Sequence, residues 1–449
     1  MQQSQPQYRL VNNFLTLSLH LKMILLIVVG SFTKLVHAQT TTCGCQYDHE
    51  CFPADGILLK EASDAFVAGT WDSHSEYSSR GPIEEWCTNN VENMSELFKG
   101  ATLFNADISQ WSTSSVTTMR SLFEGAESFN GEVGQWDVSS VVDMYYMFKQ
   151  AGAFNADLST WELSSVTAMR GLFSGAKSFD RNISQWNTAF VTDMNNMFSY
   201  AIKFNGEVGQ WDVSSVVDMT SMFAGATSIN VDLNGWDTSS VESMSRMFQG
   251  ASSFNADISQ WNTSSVRSMY AMFHLATSFN RNLTDWIVSS VTDMGLMFKQ
   301  AYVFNGDLSK WDLSSVRSTK NMFRTARSFN TDVSGWNTAS VTNMAYMFAY
   351  ARDFDSEIGD WIVSSVTDMT YLFYHARAFS TDLSKWDVSK VKRMTSTFSS
   401  AVSFSSDLAS WDVSSVTSMS AMFVNAILFN GNVTKWDTSS VVTMRFILD

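Results

Sequence analysis

The chain has 449 residues, of which 45% are apolar and 16% charged, with only 3 Pro and 22 Gly. That composition excludes a disordered or highly charged chain, and it leaves little material for Pro/Gly-rich linkers between independent modules. The formal net charge is −15, and a surface that acidic repels phosphate backbones, so nucleic acid is not an expected partner.

Residues 1–38 contain Arg9, Lys22 and Lys34 but no acid, carry an apolar block at 23–29, and end in Val36-His37-Ala38 before Gln39. This is the pattern of a secretory signal peptide with a signal-peptidase site. The alternative is an uncleaved anchor, but His20, Lys22 and Lys34 interrupt the apolar stretch, well short of the roughly 20 residues that span a bilayer. Residues 39–82 hold Cys43, Cys45 and Cys51, and Cys87 follows at the entry to the next region. Four cysteines at one end of an exported chain predict two disulfides closing an N-terminal cap, in any of three connectivities. A zinc site is the competing reading. Against it, Cys43-Gly-Cys45 is not a C-x2-C pair, and only His49 and His74 lie near.

From residue 83 to 449 the chain is one period repeated. Trp stands at 86, 111, 136 and every 25 residues thereafter to 436, without insertion. Val holds its column from Val91 to Val441, and Met fills 14 of 15 places from Met94 to Met444, with Thr319 the exception. The next column is nearly all Met or Leu, with Thr397 as its polar member. A single unit cannot close a core, whereas stacked units bury each apolar column against its own copies. The expected architecture is therefore a leucine-rich-repeat-like solenoid of about 14 coils, with parallel β-strands and one short helical turn per coil. Within a coil, 104–111 (Phe-Asn-x-Asp-Ile-Ser-x-Trp) lacks a helical period and reads as a strand. A turn at Ser114-Ser115 leads into a second short extended piece. Met144, Met147, Phe148 and Ala151, spaced i, i+3, i+4 and i+7, read as about two helical turns.

The unit F-N-x-D-[IL]-S-x-W-D-[VT]-S-S-V-x-x-M-x-x-M-F-x-x-A-x-x resembles the BspA-like leucine-rich-repeat surface proteins, in the 25-residue branch first described in mycoplasma surface lipoproteins. The resemblance covers 83–449. It implies a solenoid that is extracellular or displayed on the cell surface, with adhesion or partner binding as its role, and it brings no catalytic residue. The lipoprotein and wall-anchor signals of bacterial members are not apparent.

Most regular columns read as scaffold. The Asn column (Asn105, Asn130, Asn155 and copies) is expected to satisfy backbone groups as a ladder, and Ser114-Ser115 to do the same at their turn. The acidic column (Asp107, Glu132, Asp157 and copies) reads as solvated or hydrogen-bonded, with Ca²⁺ as the lesser alternative. Met columns are core filler. His274 and His375 stand in different columns, no Ser-His-Asp set or phosphate-cradling loop is visible, and the chain is not expected to be an enzyme or to hold a cofactor or metal.

Function is better sought in residues that vary between coils. Arg327, Arg352 and Arg377 share one column on three consecutive coils, Tyr346 and Tyr371 share another, and Tyr350 and Tyr374 lie near in sequence. Arg and Tyr gathered on an acidic scaffold suit a protein or glycan contact patch; the alternative is that Asp353 and its neighbours merely neutralise the arginines. Asn93, Asn182, Asn262, Asn282 and Asn432 sit in N-x-[ST] and are candidate glycosylation sites. The last unit stops partway through a coil without a polar cap, so membrane attachment is expected only through an uncleaved anchor or a missing C-terminal portion. The sequence thus reads as a secreted or cell-surface repeat protein that binds an extracellular protein or glycan. The alternative is a structural spacer presenting a missing C-terminal module.

Overall fold

In a computed structural model the chain divides into two units, Met1–Asp48 and His49–Asp449, and the structure describes residues 51–70, 77, 80–445 and 447. The signal expected over 1–38, together with Cys43 and Cys45, lies outside the described residues.

Each 25-residue unit forms one coil, and each coil meets the next through a parallel bridge: Asn93 pairs with Thr118, Thr118 with Asp143, and so on to Ser418 with Thr443. The backbone around the bridge bonds in both directions. Val142 N–H donates to the Thr117 carbonyl of the preceding coil at 2.8 Å, and Met119 N–H to the Asp143 carbonyl of the following coil at 3.0 Å. A period without insertions makes this register the natural one, because every residue then lies beside its own copy.

Two local expectations are corrected. Met144, Met147, Phe148 and Ala151 are buried, as their spacing requires, but they form no helix; 145–150 is a run of turns. Met147 N–H donates to Met144 and Lys149 N–H to Tyr146 inside the coil, while Tyr146, Phe148 and Gln150 donate to Arg170, Leu172 and Ser174 of the next coil. An α-helix is about 10–12 Å across and keeps its hydrogen bonds to itself. It cannot be repeated at the 5.6 Å that separates the Phe148 and Phe173 rings. The turn run can, because alternate amides leave the coil. It does so with two positive-φ residues per coil, here Tyr146 at 58° and Gln150 at 60°. The second correction is that the segment expected as a strand at 104–111 and its copies is joined between coils by side chains, the one backbone pairing among the described residues being Leu283 N–H to Asp307.

The interior is a set of self-stacked columns. The Trp186 and Trp211 indoles lie 6.1 Å apart with planes 4° from parallel, and Trp211 Nε1 donates to the Ile183 carbonyl one coil back at 3.0 Å. Phe198 stacks on Phe204 within its coil at 3.9 Å and on Phe223 of the next at 5.6 Å. The polar exceptions keep partners: the Thr397 hydroxyl is shared between the Met394 and Met369 carbonyls at 2.8 and 3.1 Å, and Thr319 reaches the Asn343 carbonyl at 3.4 Å. A buried hydroxyl left unpaired would cost about 1–3 kcal/mol.

The first coil is covered by helix α1 (Ile57–Val67), which buries Leu59, Ala62 and Ala65 and donates a hydrogen bond from the Ser63 hydroxyl to Leu97 at 2.9 Å. A disulfide joins Cys51 to Cys87, one of the two expected in this cap. Gly56, at φ 72°, lets the helix begin against the repeat, since a Cβ there would stand 2.0 Å from the Asn93 carbonyl oxygen. On the last coil Val442 and Met444 are exposed. Among the described residues no helix is long and apolar enough to cross a membrane.

Candidate interaction surface

The polar columns resolve into scaffold and surface. Asn130 N–H donates to Asn105 Oδ1 at 2.8 Å and Asn155 N–H to Asn130 Oδ1 at 2.7 Å, and this ladder continues coil by coil until Ser380 N–H donates to Asp355 Oδ1. Asp180 and Asp355 substitute for Asn because one carboxylate oxygen accepts as well as an amide oxygen does. Beyond Ser380 the ladder side chains shorten to Ser405, and a polar hollow of about 730 Å3 opens beside Asp382 and Asp407.

The acidic column also bonds locally. Asp107, Asp157 and Asp257 each accept the amide two residues on, at 2.9 Å, and this backbone hydrogen bond first of all, with the serine hydroxyl adding to it, holds their carboxyls below the usual range. Among the described residues no three of His, Cys, Asp and Glu converge in a way that could hold a metal ion. Asn93, Asn182, Asn262, Asn282 and Asn432 are exposed. Their Oδ1 atoms accept backbone amides, as Asn182 does from Ser184 at 3.0 Å.

The four tyrosines named from sequence come together. Tyr346 and Tyr371 stack at 4.8 Å with planes 11° apart; Tyr374 packs edge-on against Tyr371 at 5.0 Å and against Tyr350 at 5.2 Å. His375, which sequence reasoning set aside, completes the cluster by stacking on Tyr350 at 4.9 Å. Burial pushes the Tyr346 and Tyr374 phenols up, aided by neighbouring phenols. Burial first, then the Arg377 and Arg352 charges, lowers the His375 imidazole. Those arginines are exposed. Among the described residues no carboxylate, Asp353 included, lies within ion-pair distance of Arg327, Arg352 or Arg377. Arg327 lies instead over the Tyr302 ring at 4.9 Å, and Arg324 over Tyr346 at 5.0 Å. Arg324 and Lys299 were also missed by sequence reasoning, although they share one column one period apart.

The backbone makes this cluster costly. Tyr346, Tyr350, Tyr371 and His375 all have φ between 57° and 61°, a region where a non-glycine residue is strained by about 1–3 kcal/mol. The column that holds Tyr350 and His375 is Gly at 100, 125, 175, 225 and 250. Aromatic rings are displayed here on positions that glycine fills more cheaply elsewhere in the same molecule.

In-register coils, self-stacked interior columns and a variable outer face define a tandem-repeat solenoid protein. The chain belongs to the family described as "Mycoplasma protein of unknown function, DUF285", whose model matches the overlapping segments 68–186, 168–286, 228–335, 268–383, 304–411 and 352–449. No curated protein matches the sequence. Solved structures to which it is similar include a plant peptide hormone receptor, RGFR1, in complex with RGF2, at 9% identity and TM-score 0.23 over 68% of this chain and 47% of the receptor. The chain thus spans about half of that receptor's length. Others are the functional domain of InlJ from Listeria monocytogenes, which includes a cysteine ladder (10% identity, TM-score 0.18, 62% of this chain and 65% of that one), and an LRR protein of Leptospira interrogans (8% identity, TM-score 0.19, 77% and 88%).

Proposed function

We propose that this chain is a secreted or cell-surface binding protein rather than an enzyme, and that it engages an extracellular protein or glycan through the Tyr/Arg face of coils 299–377. The observation that carries the reading is the row of aromatic rings beside arginines that, among the described residues, have no carboxylate within ion-pair distance. Tyr and Arg are the residues that most often anchor interfaces, and Tyr350 and His375 occupy a positive-φ position, common to every coil, that glycine fills at 100, 125, 175, 225 and 250. The Cys51–Cys87 disulfide supports an oxidising compartment, and the likeness of the repeat unit to BspA-like surface proteins supports display outside the cell.

The test is a screen of the intact protein against glycan arrays and extracellular matrix proteins, repeated with Arg352→Glu and Tyr371→Ala after circular dichroism has shown both variants folded. Binding by the wild type that drops at least about tenfold in both variants is the expected result, since truncating an anchor commonly costs 2 kcal/mol or more. Absence of binding by the intact protein would favour a structural spacer.

A further inference from the structure

On an acidic chain the cations of this face are segregated. Three surface columns run through coils 274–377: 274, 299, 324, 349 and 374; 275, 300, 325, 350 and 375; and 277, 302, 327, 352 and 377. They contain Lys299, Arg324, Arg327, Arg352 and Arg377 and no Asp or Glu, while the whole chain carries −15. Contacts join members of these columns into two neighbouring runs, His274 to Arg327 and Arg324 to His375. His274 bonds to Gln300 and Gln300 to Tyr302, both at 3.4 Å; Arg327 covers Tyr302, and Arg324 covers Tyr346. Tyr346 then stacks on Tyr371, whose neighbour Tyr374 leads to His375 at 4.4 Å.

We propose that this strip binds a linear anionic glycan, one bearing sulfate or carboxylate groups, laid along the stacking direction. The inference rests on the reading of this face as the binding surface and adds the chemistry of the partner. Guanidinium forks match sulfate and carboxylate bidentately, and among the described residues no carboxylate lies within ion-pair distance of Arg324, Arg327, Arg352 or Arg377. After burial, the Arg324 charge is what lowers the Lys299 ammonium, and the Arg377 and Arg352 charges act on His375 in the same direction. Such crowding of like charge is relieved when an anion lies between them. The Tyr346–Tyr371 and Tyr350–His375 rings stack on each other, so along the stacking direction they present a row of ring edges repeated at the coil spacing, contacts that add to the cations. A polymer that repeats along its length also fits a surface that repeats along its own.

The experiment titrates the intact protein with heparin, neutral dextran, polyglutamate and oligothymidylate at fixed ionic strength, following binding by biolayer interferometry. Heparin binds and dextran does not. Arg352→Glu with Arg377→Glu weakens heparin binding more than about tenfold and flattens its salt dependence, because two contacts to the polyanion are lost. Tyr371→Ala weakens it without changing the salt slope. Lys177→Glu, in the same column as Arg352 but outside the strip, changes it less than about twofold. The proposal is overturned if heparin fails to bind, if the double variant binds it unchanged, or if polyglutamate or oligothymidylate binds as tightly. If heparin fails while a neutral glycan or a protein binds and is lost with Tyr371→Ala, the surface reading stands and only the anionic class falls. If nothing binds, both fall.

Discussion

At the start of the repeat one surface column reads Lys99, Glu124, Lys149; eight coils further on the same column reads Lys299, Arg324, Ala349. In the first region Lys149 Nζ stands 2.8 Å from Glu124 Oε1, and Lys99 Nζ is 2.7 Å from Glu96 and 3.5 Å from Glu124. A hydrogen bond to Glu96 first, then the Glu124 charge acting against burial, raises the Lys99 ammonium; in the second region burial and the Arg324 charge lower that of Lys299. Beneath both faces the interior is the same: Phe123 lies 5.6 Å from Phe148 in the first region, and Phe348 lies 5.7 Å from Phe323 in the second. A buried column is constrained by its own copies on both sides, so a change in one coil alone is rare and, as at Thr319 and Thr397, keeps a hydrogen-bond partner. An outward side chain touches few neighbours, and there the coils are free to differ.

The sharpest way to break this comparison is to cut the shared interior in both places. Phe123→Ala and Phe348→Ala should each cost about 3–5 kcal/mol, the usual penalty for emptying a large aromatic site, and denaturant unfolding followed by tryptophan fluorescence should show nearly equal shifts. A Phe348→Ala variant that loses under about 1 kcal/mol would mean the second region is packed differently.

Exchanging the charge patterns tests the faces. Arg324→Glu recreates the Lys99–Glu124 pair beside Lys299 and should raise the melting temperature, while Glu124→Arg places a cation between Lys99 and Lys149 and should lower it. Each effect is expected at roughly 0.5–1 kcal/mol, the range of partly exposed ion pairs, and both should shrink in high salt. Effects of the same sign would show that local charge does not distinguish the regions. Arg324→Glu should also weaken any anionic ligand, so stability and binding move in opposite directions in one variant.

Burial was legible in the sequence and backbone path was not. Val116, Met119 and Phe123 are fully buried, as a 25-residue register demands, and the Asn105 ladder follows from an amide side chain recurring at a turn. The spacing of Met144, Met147, Phe148 and Ala151 reports which side chains point inward; it says nothing about where their amides donate, and a turn run whose alternate N–H groups leave the coil has the same apolar stripe as a helix. Part of the surface was legible for a related reason. Tyr346 and Tyr371 share a column, so their stacking could be read from the period, whereas Tyr350 meets His375 in a column that held glycine in half of the earlier coils. Arg324 is found only when one asks which cations lack an acid in the neighbouring copy.

The smallest expected effect concerns pH, and it separates the two regions by composition. No His occurs between Cys87 and Met272, whereas His274 and His375 both lie on the second face. His274 is lowered by burial and then by Lys299, with Gln300 as its hydrogen-bond partner; His375 is lowered by burial and then by Arg377 and Arg352, with Tyr350 and Tyr374 against its ring. Because the folded imidazoles bind protons less readily than the unfolded ones, the unfolded chain takes up more protons as pH falls below about 6.5, and stability declines through that window until the folded groups titrate in turn. The carboxylates held low, such as Asp107 and Asp257, lose their contribution only below about pH 4. Hydrogen exchange compared at pH 7.5 and 5.5, after correction for intrinsic rates, should therefore show protection falling in coils 274–377 and unchanged in coils 99–149. An anionic ligand on the strip should reverse the trend there, since a negative charge beside His375 favours its protonated form and binding then tightens as pH falls. Uniform loss of protection along the stack would show that the histidines do not set the acid response and that the two faces differ in charge without differing in titration.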